Sequence, residues 1–203
     1  MATTKAVDLI DRAARILQDA GSVRWTKLAL LRYLNDAQKQ IALHRPDAST
    51  LNAPLSTAEG TKQSLPAAAV RLIDVVRNTG GKVITQVSRQ ILDDHLPDWH
   101  TEPAAGVTEA EHFTYDPRDP KTFYLYPRMQ ASQSVDIVYS TPPTEISSTT
   151  ALSDANDLSD IASTVISVDD VFVNPILDFM LWRAFSEDSE YAGSMQRAQA
   201  HMQ

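Results

Sequence analysis

Five histidines in a chain of 203 residues are the first candidates for a metal centre or a general base. His95, His100 and His112 stand 5 and 12 positions apart, and no HExxH or comparable ligand spacing joins them. Asp93, Asp94, Asp98 and His100 make a small polar cluster around Pro97 and Trp99, which a surface turn explains more simply than a metal does. The stretch DANDLSDIASTV from Asp154 superficially resembles a calcium loop. It puts Ser159 and Val165 where such a loop needs its turn glycine and its bidentate glutamate, so the pattern fails. No GxGxxG, GxxxxGK[ST] or GxSxG sequence occurs, which removes phosphate-cradling loops and the nucleophile elbow. With zero cysteines there is neither a disulfide framework nor a thiolate ligand or nucleophile. No catalytic, metal or cofactor residue is assigned, and the expectation is a structural or interaction protein rather than an enzyme.

The bulk composition suits a globular fold, with 43% hydrophobic and 22% charged residues. No apolar run approaches the roughly 20 residues of a bilayer span. The first residues, MATTKAVDLIDRAARIL, place acids within their apolar stretch and do not read as a signal peptide, so an intracellular or intracellularly assembled protein is expected. The net charge of −8 is unevenly spread. Through Pro143 the chain holds 16 basic and 16 acidic residues, whereas from Thr144 only Arg183 and Arg197 oppose ten acids. That is the reverse of a nucleic-acid groove, which concentrates Lys and Arg. It reads either as a solvated acidic face or as a surface that must not hold DNA.

The elements that organise these residues follow from periodicity and punctuation. Val7, Ile10, Ala14 and Leu17 predict a first helix over about 7–20, with Gly21 as its left-handed stop. Thr26 is placed to cap a second helix, on which Leu30, Leu34, Ala37 and Ile41 form an apolar stripe beside Leu31 and Tyr33. Pro46 ends it. Trp25 caps the core of this antiparallel pair or anchors an interface. Residues 47–66, rich in Ser, Thr, Ala and Pro, read as an extended loop.

Two β-prone runs then flank Asn78-Thr79-Gly80-Gly81, a hairpin signal. A short helix over 88–95 precedes Pro97, and further strands are expected at 112–115, 122–126 and 134–140. The fold class expected is α+β: a helical bundle of two N-terminal helices and a C-terminal helix, with a small antiparallel sheet of about five strands inserted. In boundaries, one domain spans 1–203, with a helical hairpin at 1–46, a β-rich insertion at 67–140, an extended, functional or mobile loop at 141–167, and a C-terminal helical segment at 168–203. Pro175 fits a first turn or a kink, and Gly193 is a weak point further on.

Three stretches carry a family resemblance. The first is Arg24–Ala48, with Trp25-Thr26 opening the helix and Leu31-Arg32-Tyr33-Leu34-Asn35-Asp36-Ala37-Gln38 within it. The second is Phe123-Tyr124-Leu125-Tyr126-Pro127, followed by Val135–Tyr139 and Pro142-Pro143. The third is Leu181-Trp182-Arg183-Ala184-Phe185-Ser186-Glu187-Asp188, continuing through Gly193 to Arg197-Ala198. In this order and spacing they resemble the head-to-tail adaptor (connector) proteins of short-tailed bacteriophages over nearly the whole chain.

The resemblance implies a virion structural protein at the head–tail junction, assembled in the host cytoplasm. It would form a homo-oligomeric ring, usually of about twelve copies, joining the portal protein to the tail nozzle protein. Double-stranded DNA would pass through without being bound specifically, and neither cofactor nor membrane is involved. Within that reading Asp154, Asp157 and Asp160 are candidates for lining the channel or for inter-subunit contact. Arg197, His201 and Gln203 are candidates for touching the portal or a neighbour. Trp25, Leu30, Leu34, Ile41, Phe179 and Trp182 are candidates for the scaffold core. A tail-completion or stopper protein is the alternative structural reading. A small virion-associated hydrolase, with Asp93, Asp94 and His95 as first suspects, is the enzymatic one.

Overall fold

A computed structural model describes residues 2–101 and 106–187. The chain divides into two compact units, one built from the residues through Ala48 together with those from Pro143 onward, the other from Ser49–Pro142. The fold class is α+β, with four helices and two sheets among the described residues.

In the first unit, α1 (Ala6–Ile16) and α2 (Lys27–His44) join α4 (Val173–Glu187) around one core. Leu9, Ile10, Ala13 and Ala14 of α1 meet Leu30, Leu31, Leu34 and Ala37 of α2, and Ile176, Leu177, Met180, Leu181 and Ala184 complete the cluster from α4. Thr26 caps α2 as expected, its Oγ1 accepting from Ala29 N–H at 3.2 Å. The end of α1 differs from the expectation. The helix stops at Ile16, and Gln18, not Gly21, takes the left-handed conformation at φ 59°. Gln18 and Asp19 N–H donate back to Arg15 and Ala14 O, a Schellman closure that needs no glycine. The Asp19 carboxylate then accepts from the backbone N–H groups of Val23, Arg24 and Trp25. Those bonds hold it below the usual carboxylate range and fix the turn into α2.

Residues 143–172, which take in most of the extended loop expected over 141–167, are held against the helices. Ile146, Ala151, Leu158, Ile161, Ile166 and Val168 are buried in the same core as the helices. The backbone is stitched to α1 and α2 along its length: Leu28 N–H donates to Ala155 O, Ala6 N–H to Thr164 O, and Ile166 N–H to Thr4 O. Short 3-10 turns at Thr150–Leu152, Ser159–Ile161 and Asp170–Phe172 shape it. It is a strap, and the Ser/Thr composition that suggested a loop supplies its turn bonds. Pro175 falls in the first turn of α4, where a missing N–H removes no helical bond.

Among its described residues the second unit holds seven strands in two sheets, not one small antiparallel sheet of about five. β1 (Thr50–Ser56), β7 (Ser134–Ser140) and β3 (Arg71–Asn78) form the first, in the order β1-β7-β3. β2 (Gly60–Ser64), β6 (Thr122–Met129), β5 (His112–Tyr115) and β4 (Thr85–Gln86) form the second, in the order β2-β6-β5-β4. The segment read as a loop over 47–66 therefore contains two edge strands. In β1, Leu51, Ala53 and Leu55 face Tyr139, Ile137 and Val135. Ser49 O accepts from Thr141 N–H at one end and Thr57 N–H donates to Gln133 O at the other, so the odd-numbered residues are bonded to β7. Pro54 turns its missing donor to the open edge, which is how a strand tolerates it.

The hairpin signal at Asn78–Gly81 is realised only briefly. Gly80 supplies φ 75°, Gly81 N–H donates to Asn78 O, and Arg77 bridges Val83. The chain then leaves, and β4 pairs parallel with β5 in the other sheet. The buried Asn78 side chain forces this departure, donating to Lys82 O and Ala110 O while its Oδ1 accepts from Ala110 N–H. The core of the unit combines Leu72, Val75, Phe113, Phe123, Leu125, Met129, Val135 and Ile137. A third helix, α3 (Arg89–His95), precedes Trp99.

Candidate functional site

The polar cluster around Pro97 is a packing device. Trp99 is fully buried, and its Nε1–H donates to Asp93 Oδ1 at 3.0 Å. That bond first, and the Arg89 guanidinium second, hold the Asp93 carboxyl below the usual range. The His100 ring lies 3.7 Å from the indole by centroids, and its Nδ1 shares a 2.8 Å hydrogen bond with Thr61 Oγ1. Tyr124 closes the group edge-on to both rings. Asp93, the first acid a hydrolase would enlist, is thus occupied in orienting a tryptophan. The nearby groove of about 580 Å³, lined by residues 86–89, 114–118 and Tyr124, has its two cations already paired, Arg89 with Asp93 and Arg118 with Asp116. Among the described residues no group of three or more His, Asp or Glu side chains converges as a metal site would require. No helix among them is long and apolar enough to cross a membrane.

The strap carries the acids singled out in the sequence. Asp154 accepts from Asn156 N–H at 3.0 Å and Asp157 from Ser159 N–H at 2.9 Å, each closing a local turn. Asp160 does more. Its oxygens accept from Ser148 Oγ–H at 2.6 Å, Thr149 N–H at 2.7 Å and Thr150 Oγ1–H at 2.8 Å, folding the strap back on itself. The Ser148 bond and then those from Thr149 and Thr150 pull its pKa far below the ordinary value. Because the folded carboxylate is the favoured form, it stabilises the fold above the unfolded pKa of about 4, and the effect fades as pH falls further. Asp160→Asn should therefore melt earlier than the parent at pH 7, with the gap between them narrowing at pH 3. Thermal unfolding followed by circular dichroism at both pH values measures this.

Residues that tether the strap lie inside the family-like motif of α2. Asn35, on the buried face, donates from Nδ2 to Ile146 O at 2.8 Å and accepts from Ile146 N–H at 3.0 Å. Gln38, also buried, accepts from Ser167 N–H at 2.6 Å. Tyr33 donates its hydroxyl to Glu187 of α4, and burial together with that carboxylate pushes the phenol up. At the start of the chain, Thr3 N–H, Thr3 Oγ1–H and Thr4 N–H all converge on the Asp170 carboxylate, which is held well below its usual value by them. A polar residue within an otherwise apolar helical stripe was the available signal for Asn35 and Gln38.

Of the residues named for the scaffold, Leu30 and Leu34 are fully buried, and Trp25, Ile41, Phe179 and Trp182 pack on the same core while part-exposed. Phe179 and Trp182 touch at 5.2 Å between ring centroids, and Arg24 lies 5.0 Å over the Trp25 ring. Arg197, His201 and Gln203 lie outside the described residues. No curated protein matches the chain. The family model described as SU10 adaptor protein matches residues 4–203. A match over nearly the full length, on a chain whose motif residues bind strap to helices, shows that this protein belongs to the SU10 adaptor family of phage head–tail adaptor proteins.

Proposed function

We propose that the protein is a virion structural component that forms an adaptor ring between the portal vertex and the tail. The single observation carrying this reading is the family match over residues 4–203. Three features of the chain support it. The frame is rigid where α1, α2, α4 and the strap share one core. Of the acids a hydrolase would enlist, Asp93 is engaged by the buried Trp99 indole. The net charge of −8 suits a ring through which DNA passes, since anionic walls repel phosphates. Heterologous contacts between copies close a ring when their rotation closes, and a ring of about twelve would sit beneath the portal with the tail nozzle docked below. Assembly in the host cytoplasm follows from that partnership.

Mixing the purified chain with the portal protein of the same phage tests the reading. Sedimentation should shift the chain into a single large complex of fixed stoichiometry. A chain that stays monomeric beside the portal across the range of salt would overturn it.

A further inference from the structure

The strand edges offer little for joining copies. Pro54 interrupts the open side of β1, and β2 breaks register between Gly60 and Lys62. β3 breaks register twice, and β4 is two residues long. Edges blunted in these ways resist strand addition. Side-chain faces of the helical unit remain, and two of them are complementary.

On α1, the stripe opposite the buried Leu9, Ile10, Ala13 and Ala14 exposes Arg12, Arg15 and Ile16. Neither arginine has an ion-pair partner among the described residues, and Ile16 is 46% exposed. Asp8, one turn earlier, is the acid on that face, while Asp11 is taken up by Lys27 at 3.1 Å. On the strap, Asp154 accepts from Asn156 N–H and Asp157 from the N–H and hydroxyl of Ser159, neither meets a cation among the described residues, and Leu152 beside them is 76% exposed. Each face therefore combines two unpaired charges of one sign with one exposed aliphatic side chain. A single copy does not pair them, since the α1 stripe points away from the core that the strap helps to close.

We infer that the Arg12–Arg15–Ile16 face of α1 docks the Leu152–Asp154–Asp157 turn of the next copy. This rests on the ring reading above and names its subunit contact. Two different patches meeting head to tail make a heterologous interface, the kind that propagates around a ring. Matched charge at the contact sets register and speeds encounter, and salt weakens it. The inference assigns Asp154 and Asp157 to the seam between subunits rather than to the channel.

Charge reversal tests it with full-length protein, assembled on the portal and followed by sedimentation. R12E/R15E alone and D154K/D157K alone should each raise the concentration needed for assembly by at least about tenfold, since like charges then face each other at every contact. An equimolar mixture of the two variants should assemble again, because alternating copies restore an opposite-charge pair at every seam. Neutral variants, R12Q/R15Q and D154N/D157N, should weaken assembly less and should not rescue one another. Circular dichroism checks that each variant is folded. Assembly of either reversed variant at the wild-type concentration, or failure of the folded mixture to recover, would overturn this contact. If the wild-type chain itself never assembles, the ring reading falls, and the contact with it.

Discussion

Trp99→Ala is expected to lower the stability of the second unit by about 3–5 kcal/mol, the usual cost of emptying a fully buried indole site. Trp99 is 0% exposed and lies at the meeting point of Asp93, His100 and Tyr124. Its removal takes away the contact that anchors the segment after α3, and the indole N–H that orients Asp93 goes with it. For a chain of this size such a loss corresponds to a fall in melting temperature of about 6–20 °C. Trp99→Phe retains most of the ring volume and should cost clearly less. A chemical or thermal melt of the two variants separates packing from the hydrogen bond. If Trp99→Ala melts with the parent, the cluster is not the packing device described.

Asn35→Ala should destabilise the first unit by about 3 kcal/mol, roughly 6–12 °C in melting temperature. The side chain makes both available bonds to the Ile146 peptide, at 2.8 and 3.0 Å, and is 5% exposed. Alanine leaves a buried N–H and a buried C=O without partners, which costs more than the bonds contribute when made. Asn35→Leu should not rescue it, because the helix stripe is already filled and the peptide stays unpaired. Amide exchange at Ile146 should rise together with that of Ser167, whose N–H is held by Gln38 on the next turn of α2. Unchanged protection at Ile146 would show that the strap is held by its apolar residues alone.

These two sites also mark where the sequence was readable. The core positions of α1 and α2 followed from spacing, because Ile10, Ala14, Leu30 and Leu34 recur with the helical period, whereas on α4 Phe179 and Trp182 stood out ahead of the buried Leu177 and Leu181. The Thr26 cap was equally legible, as a hydroxyl before an apolar run. β1 was not, since Pro54 and a scarcity of β-branched residues hide a strand whose pairing partner lies some 80 residues on in β7. β4 was hidden by its shortness and by a parallel partner that only tertiary structure supplies. Gln18 ended α1 ahead of the glycine that composition favoured, because Asp19 organises the turn beyond it.

The assembly residues were harder still. The acids of the strap stood out as a charge run, but the segment holding them was read as a mobile loop. Its anchors, Ile146, Leu158, Ile161 and Ile166, are too widely spaced to show a period. Asn35 and Gln38 stood in plain view within the family-like motif, where their amides carry the connection from helix to strap. Arg12 and Arg15 looked like an ordinary solvated helix face, and what distinguishes them is that neither has an ion-pair partner among the described residues.

Electron microscopy of the virion tests the central claim most directly. Density for this chain is expected as a closed ring of repeated copies between the portal and the tail, coaxial with the DNA path. Finding the chain elsewhere in the particle, or as single copies that form no ring at that junction, would contradict it.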